Sequence, residues 1–442
     1  MSQLVVATEC PNCGGPLDIA EGSNAIRCGS CRSNLLVTGR KQVLSYYAPA
    51  RVSEDRARAL ARAEHAAAHV TRADLYFIPY YRLTGHDFGW QGRTEPGLDE
   101  GTSRNALATL LRDEQAEGRA LAASIMVGHV STHTSDAGPL SLVDRYVEKS
   151  FVACELPDFA AYSLGVRAQV LRVALLRPGT LAPLGKVVGV GMEVDAAMTR
   201  GLQEGATRIV CRQVLARILS VIYIPYWVME LQHSGDSWLT VVDGVTEGVA
   251  QPRARPALRT ALDLRPAGDL PTAGFRPLVC PNCGWDLPVT ADDVVFFCAS
   301  CEKAWQLDGR EMTEVAHDLA AVPGVDRGMF LPFWQLELGA REYCVPAFRY
   351  RRLKTLVDLT TRLSSNGLRW QRWADARPHV RGCFYDASDA MLLARFVAAG
   401  QGHATTGNAR EPARLIWLPF KRERRSLIDP FTGMGLQESL LV

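Results

Sequence analysis

The sequence lacks an uninterrupted apolar run. Its longest apolar stretch, Val214 to Leu231, is broken by Arg217 and contains Pro225, whereas a membrane-spanning helix needs about 20 consecutive, largely apolar residues. It also lacks the basic segment and apolar core of a secretion leader. MSQLVVATECPNC runs directly into a cysteine pair, so a chain without a leader, cytoplasmic and without a transmembrane segment, is expected. An excess of either charge is missing too. Lys and Arg number 49 against 47 Asp and Glu, a formal net charge of +2, which excludes the global field that drives non-specific binding to nucleic acid or anionic membranes. Any such surface has to be local.

Recognisable catalytic patterns are absent as well. There is no GxSxG, kinase or zinc-deaminase signature. PGTLAPLGKVVGVG, from Pro178 to Gly191, spaces its glycines wrongly for a phosphate loop and has Val187 where magnesium needs Ser or Thr, so it reads as a turn entering a strand. His65 and His69, and again His129 and His133, are four apart but lack the glutamate of a zinc-protease helix, and they read as surface histidines. Cys154, Cys211, Cys344 and Cys383 stand alone. Of these, Cys154 and Cys344 precede proline segments, which favours packing over nucleophilic catalysis. The expectation is a protein that is not an enzyme.

What the chain does have is 442 residues, 47% hydrophobic and 22% charged, enough for roughly two to four domains with buried cores. It also has eight cysteines in four C-x-x-C pairs. CPNCGGPL…CGSC places Cys10, Cys13, Cys28 and Cys31, and CPNCGWDL…CASC places Cys280, Cys283, Cys298 and Cys301, with fourteen residues between the pairs in both cases. Two residues between cysteines let a tight knuckle direct both sulfurs at one ion, and zinc accepts four thiolates in a tetrahedron. Gly14 and Gly284 follow the second cysteine of a knuckle, where the backbone turns back and positive φ is expected. Four thiolates leave no open coordination position, so two structural zinc ions are predicted. This use of cysteine suits a reducing compartment.

Other strings recur. FIPYYRL (Phe77 to Leu83) returns as FLPFWQL (Phe330 to Leu336), and YIPYWVMEL (Tyr223 to Leu231) as IWLPFKRE (Ile416 to Glu423), each of the latter pair followed by a turn at Asp243 or Asp429. ACELPDF around Pro157 resembles YCVPAFRY around Pro346. The offset is 189 between Pro157 and Pro346 and 194 between Pro225 and Pro419. The order and near-constant spacing predict two homologous halves, each a four-cysteine zinc ribbon followed by an α+β domain. The expected division is a first ribbon with its following strands at 1–50 and an α+β domain at 51–252 with a mobile insertion at about 92–138. A Pro/Arg-rich connector at 253–274, a second ribbon at 275–315 and a second α+β domain at 316–442 complete it.

Periodicity predicts helices over Glu54 to Val70, Asn105 to Ala123, Ala160 to Leu176, Asp195 to Leu219, Leu353 to Leu363 and Ser388 to Ala399, with Asp195 and Ser388 as N-caps. Strands should surround the hydrophobic-Pro-aromatic motifs. Because proline donates nothing to a ladder, Pro79, Pro225, Pro332 and Pro419 are expected on edge strands, at strand starts or at bulges. The aromatics beside them (Tyr80, Tyr226, Trp227, Phe333, Trp334, Phe420) are expected to pack against the helices.

The eight cysteines together with Leu331 to Trp334 and Val345 to Phe348 resemble the bacterial zinc-ribbon proteins, also labelled transcription factor IIB-type zinc-ribbon proteins. Some of these occur beside phage-shock and flotillin-like membrane stress proteins. The resemblance implies zinc and extends thinly over most of the chain.

One dense basic stretch remains, from Arg341 to Arg381. Arg349, Arg351, Arg352, Lys354, Arg369 and Arg372 interleave there with Trp370 and Trp373, as a phosphate-neutralising, base-stacking surface would require. Lys421, Arg422, Arg424 and Arg425 read as a hairpin tip. The leading expectation is a bacterial cytoplasmic scaffold or adaptor that binds protein partners and reaches membranes only peripherally through one. The alternative is a nucleic-acid-binding accessory protein using the ribbons and residues 341–381.

Overall fold

The computed structural model describes residues 4–39, 43–92, 140–154, 156, 172–203, 209–250, 258, 260–262, 273–308, 311–325, 328–366, 368–373, 380–401, 403 and 410–441. The architecture is mixed α+β and rich in strands. The first part contains β1 (Val5–Glu9), β2 (Pro16–Ala20), β3 (Ala25–Arg27), β4 (Asn34–Thr38), β5 (Leu44–Tyr47), α1 (Glu54–Glu64), β6 (His69–Gly92), β7 (Leu140–Val152), β8 (Arg172–Leu175), β9 (Lys186–Val187), α2 (Val194–Gln203), β10 (Ile209–His233), β11 (Asp236–Asp243), β12 (Val249–Ala250) and β13 (Gly274–Pro277). There follow β14 (Val295–Phe297), β15 (Ala304–Asp308), β16 (Glu311–Val315), β17 (His317–Ala321), β18 (Gly328–Leu338), β19 (Arg341–Pro346), α3 (Leu353–Asn366), β20 (Gln371–Arg372), α4 (Ala387–Gly400), β21 (Arg410–Glu423), β22 (Ser426–Ile428), β23 (Gly435–Gln437) and a 3-10 turn, Glu438–Leu440.

The chain divides into two compact units. One comprises Met1–Thr84, Val147–Gly205 and Arg217–Leu278, the other Gly85–Tyr146, Ala206–Ala216 and Val279–Val442. In the first, β5 runs parallel to β10 (Tyr46 opposite Ile222) and antiparallel to β8, while β10 turns back into β11. β1 and β2 form a hairpin, and β3, β4 and β13 make a separate three-stranded sheet. Helix α1 begins where Ser53 accepts the Arg56 amide, carries Glu54 and Asp55 in its first turn and buries Ala57 and Ala61. In the second unit, β18 lies between β19 and β21, β17 runs parallel to β21, and β20 pairs antiparallel with β17. Helix α3 buries Leu353, Leu356, Leu359 and Leu363 on one stripe, and α4 buries Ala390, Leu393, Ala394 and Val397. At the centre, Trp334 and Trp417 are buried, and each donates its indole N–H to a carbonyl, of Tyr385 and Arg381 respectively, at 2.9 Å.

Several expectations need correction. The helix predicted from Glu54 to Val70 stops at Glu64, and His65 caps its end while His69 opens β6, so these two histidines do not share a helix face. The helix predicted from Asp195 to Leu219 ends at Gln203, and β10 begins at Ile209. Ile209, Val210, Val214, Ile218 and Val221 are β-branched, and pairing with β5, β6 and β11 overrides an apolar spacing that also fits a helix. The end of the helix predicted from Ala160 to Leu176 is strand β8, and the rest of it lies outside the described residues. So do Asn105 to Ala123, His129 and His133, and all of the 92–138 insertion except Gly92. The caps differ as well. Asp386, not Ser388, caps α4 by accepting the Asp389 amide, and Asp195 lies within the first turn of α2 and does not cap it.

The proline expectation fails in an instructive way. Pro79, Pro225, Pro332 and Pro419 lie inside long strands, and β18 and β21 have partners on both sides. A residue in a strand directs its N and its C=O to the same side. Pro332 O accepts Ala347 N, just beyond the end of β19; Pro79 O accepts Ala153 N, just beyond β7; Pro225 O accepts Gly244 N, just beyond β11. The missing donor therefore falls where the neighbouring strand has ended. On the next matching position, Phe77 O accepts Val188 N and Phe330 O accepts Arg381 N. Of the aromatics beside these prolines, Tyr80, Tyr226, Phe333, Trp334 and Phe420 are buried, with the Tyr80 and Tyr226 hydroxyls 3.1 Å apart, whereas Trp227 is only partly buried and donates its indole N–H to Val52 O.

Candidate metal centres and the arginine-rich stretch

Each cysteine pair occupies a knuckle at the end of a hairpin or bridge. In the first, Cys10 N donates to Gly15 O and Gly14 N to Cys10 O; in the second, Cys28 N donates to Ser33 O and Arg32 N to Cys28 O. The same pairs of bonds recur at Cys280 with Trp285 and Gly284, and at Cys298 with Lys303 and Glu302. The residue four after the first cysteine is left-handed in all four knuckles: Gly14 at φ 72°, Arg32 at 62°, Gly284 at 74° and Glu302 at 57°. The two glycines fit the sequence expectation. Arg32 and Glu302 adopt this conformation without being glycine, so no composition signal marks them.

The knuckles bring Cys10, Cys13, Cys28 and Cys31 together, and Cys280, Cys283, Cys298 and Cys301, with all sulfurs of a group within 4.8 Å of one another. Cys10 and Cys31 Sγ are 3.8 Å apart, as are those of Cys13 and Cys28; the corresponding pairs in the second group are 3.5 Å apart. Metal–sulfur bonds of about 2.3 Å in a tetrahedron put sulfurs about 3.8 Å apart, so both donor sets fit a thiolate-preferring metal ion. The eight thiols are free and not paired as disulfides. Among the described residues these are the two groups of His, Cys, Asp or Glu that could hold a metal.

The Ser33 hydroxyl and amide pull Cys31 down to about 6. Cys13, despite the Gly15 amide, is pushed up to about 11 by its hydrogen bond with Cys31. One residue escaped the sequence reading. Asn12, inside the first knuckle, donates to Ser33 Oγ at 2.8 Å and lies 3.8 Å from Cys31 Sγ, tying the two knuckles together behind the ligands. The signal was present in the shared CPNC string, whose second copy has Asn282.

Three of the four lone thiols, Cys154, Cys344 and Cys383, lie in buried core clusters. Burial pushes Cys344 and Cys383 well above the usual thiol range, and Cys383 donates to Tyr385 O at 3.2 Å. Cys154 is also buried.

The arginine-rich stretch does not form one free basic face. Arg349 is half-buried, pairs with Asp292 at 3.2 Å and lies over the Phe384 ring. Lys354 pairs with Asp358 along α3, and Arg372 lies 3.7 Å from the buried Asp318. Trp373 packs edge-on against Phe330 with ring centroids 5.1 Å apart, and Trp370 is partly buried against the same core. Arg351, Arg352 and Arg369 are exposed. Lys421, Arg422, Arg424 and Arg425 sit at the β21–β22 hairpin, as expected, with Lys421 paired to Glu423 and Arg422 to Glu438.

The first unit holds a buried ionic group that the sequence reading did not single out. Arg82 on β6 pairs with Glu21, from the turn between β2 and β3, and with Glu148 on β7, while Ser220 Oγ donates to Glu21. The cluster fastens the first cysteine module to strands of the same unit.

Compared with known families, curated proteins and solved structures, the chain matches none. Among the described residues, no helix is long and apolar enough to cross a membrane.

Proposed function

We propose that the protein is a non-enzymatic cytoplasmic scaffold or adaptor, built from two zinc ribbons and a duplicated α+β unit, that binds protein partners. The observation that carries the reading is the closed donor set: four sulfurs at tetrahedral spacing in each module. Four thiolates saturate zinc, so the ion fixes the fold of a small module and offers no position to a substrate. Bacterial zinc-ribbon proteins are the family this reading fits.

Duplication is supported by equivalent hydrogen bonds. Ala153 and Ala347 each donate to a strand proline, and each accepts two successive amides, of Gly191 and Met192 or of Phe384 and Tyr385. Asp243 and Asp429 each cap their turn by accepting the amides two and three residues on. These matches pair Pro346 with Val152; Pro157, its partner by sequence, lies outside the described residues. A crystal structure in which these elements do not superpose would remove the duplication.

The exposed Arg351, Arg352 and Arg369 favour the second reading, an accessory protein for nucleic acid. A gel-shift titration with single- and double-stranded oligonucleotides over a salt series separates the two. No shift at low salt supports the scaffold; affinity falling steeply with log salt supports nucleic acid.

A further inference from the structure

The two cysteine modules complete their sheets differently. In the second, β16 follows β15 at once and pairs with it antiparallel, from Ala304 opposite Val315 to Asp308 opposite Glu311, so β14, β15 and β16 all come from the module's own stretch of chain. In the first, β4 is completed by β13, more than two hundred residues later in sequence, with Thr38 opposite Gly274 and Leu35 opposite Pro277. The last bond of this pairing runs from Leu278 N to Asn34 O at 2.9 Å. It falls beside the metal knuckle, because Asn34 follows Ser33, whose carbonyl accepts Cys28 N.

The same segment continues directly into the second module. Val279 bridges to Asp286, and Cys280 N donates to Trp285 O at 2.8 Å. Leu278 is thus held by the first module, and the next two residues by the first knuckle of the second. We propose that filling either metal site strengthens binding at the other, through the continuous segment from Gly274 to Cys280. The proposal rests on the zinc reading of the two sulfur groups and adds to it a dependence of each site on its counterpart.

The coupling follows from what an ion does to so small a module. Metal uptake by a four-thiolate module is inseparable from folding it. Without an ion in the first module, the knuckle that fixes the start of β4 is loose and β13 loses the edge it pairs with. The chain entering Cys280 is then unrestrained, and the second module has to order it when taking up its own ion. Ordering backbone opposes folding residue by residue, so an ion already in the first module removes part of that opposition. By linkage the effect is reciprocal: an ion in the second module favours the first by the same factor.

The test uses the full chain and zinc, with affinities read by competition against a chromophoric chelator. Cys28→Ser with Cys31→Ser, and separately Cys298→Ser with Cys301→Ser, each leave one complete sulfur group and give its affinity alone. The two-ion binding constant of the unaltered chain is expected to exceed the product of these two single-site constants by at least about 10-fold. Inserting Gly-Ser-Gly-Ser between Leu278 and Val279 keeps every ligand and the β4–β13 pairing but loosens the link, and should bring the ratio to about 1. A smaller ratio in the uninserted chain overturns the proposal, and so does a ratio that the insertion leaves unchanged.

If a serine variant does not fold, the unaltered and inserted chains decide. The insertion should lower the two-ion constant by at least about 10-fold while both ions still bind at saturation, and a smaller loss overturns the proposal. Fewer than two zinc ions bound by the unaltered chain would overturn the zinc reading itself, an outcome distinct from two ions bound independently.

Discussion

The Arg349 guanidinium stands 3.2 Å from the Asp292 carboxylate and 5.1 Å from the centre of the Phe384 ring, linking the turn between β14 and its preceding knuckle to the segment that follows β19. This arginine is a structural tie of the second unit. Arg349→Ala should lower stability in chemical denaturation by about 1 to 2 kcal/mol, through loss of a partly desolvated ion pair and a cation–ring contact. Arg351→Ala and Arg352→Ala, both on exposed residues, should change it by no more than about 0.5 kcal/mol. Equal effects would show that the Asp292 contact does not matter.

Metal content gives the second prediction. Elemental analysis should find two zinc ions per chain, one for each sulfur group, and Cys283→Ser should remove one while leaving the first module loaded. Asn12→Ala should keep both ions but speed chelator extraction from the first module, by about 10-fold or more, because the side chain that ties its knuckles is gone.

Burial, against the opposing pull of the Thr290 hydroxyl and Arg381, raises Asp293 to about 6. A carboxyl that binds its proton more tightly in the folded state favours folding when protonated. The contribution is present at low pH and is lost as pH rises from about 4 through 6. Asp293→Asn should therefore unfold at higher temperature than the unaltered protein at pH 7 to 8, by about 1 kcal/mol of stability. The difference should vanish below about pH 4. A pH-independent difference would exclude this carboxyl as the cause.

Ala216 is left-handed at φ 49° within β10, and its amide donates to the Asp389 carboxylate at 3.0 Å. An alanine there is strained, whereas glycine is not. Ala216→Gly should raise stability by about 0.5 to 1 kcal/mol, as read from thermal melts. A loss would mean that the methyl group's packing outweighs the strain.

What could be read in advance follows from how local the determining physics is. Cysteine spacing reports a four-thiol cluster because the cysteines sit in two short turns, and Gly14 and Gly284 betray their positive φ by identity. Arg32 and Glu302 share that conformation, each with its amide donating back to the first cysteine of its knuckle, so residue type does not reveal it. The α3 stripe at Leu353, Leu356, Leu359 and Leu363 was legible because a single face is buried. The segment after Gln203 was not, since the choice between helix and strand there depends on β5, β6 and β11, which are remote in sequence. Arg349 and Asp292 are 57 residues apart, and nothing in either local string announces the pairing; in sequence the arginine simply joined a run of positive charge.

The strand prolines carry a consequence for alignment between strands. Pro332 can sit only where the side facing Ala347 asks for no N–H, and Pro79 and Pro225 are bound in the same way opposite Ala153 and Gly244. A slip of β18 by two residues would preserve the alternation of buried and exposed side chains, which alone would not penalise it. It would, however, bring the proline against a carbonyl of β19 and remove a ladder bond. These prolines thus act as register pins, penalising the slips that hydrophobic alternation leaves unpunished.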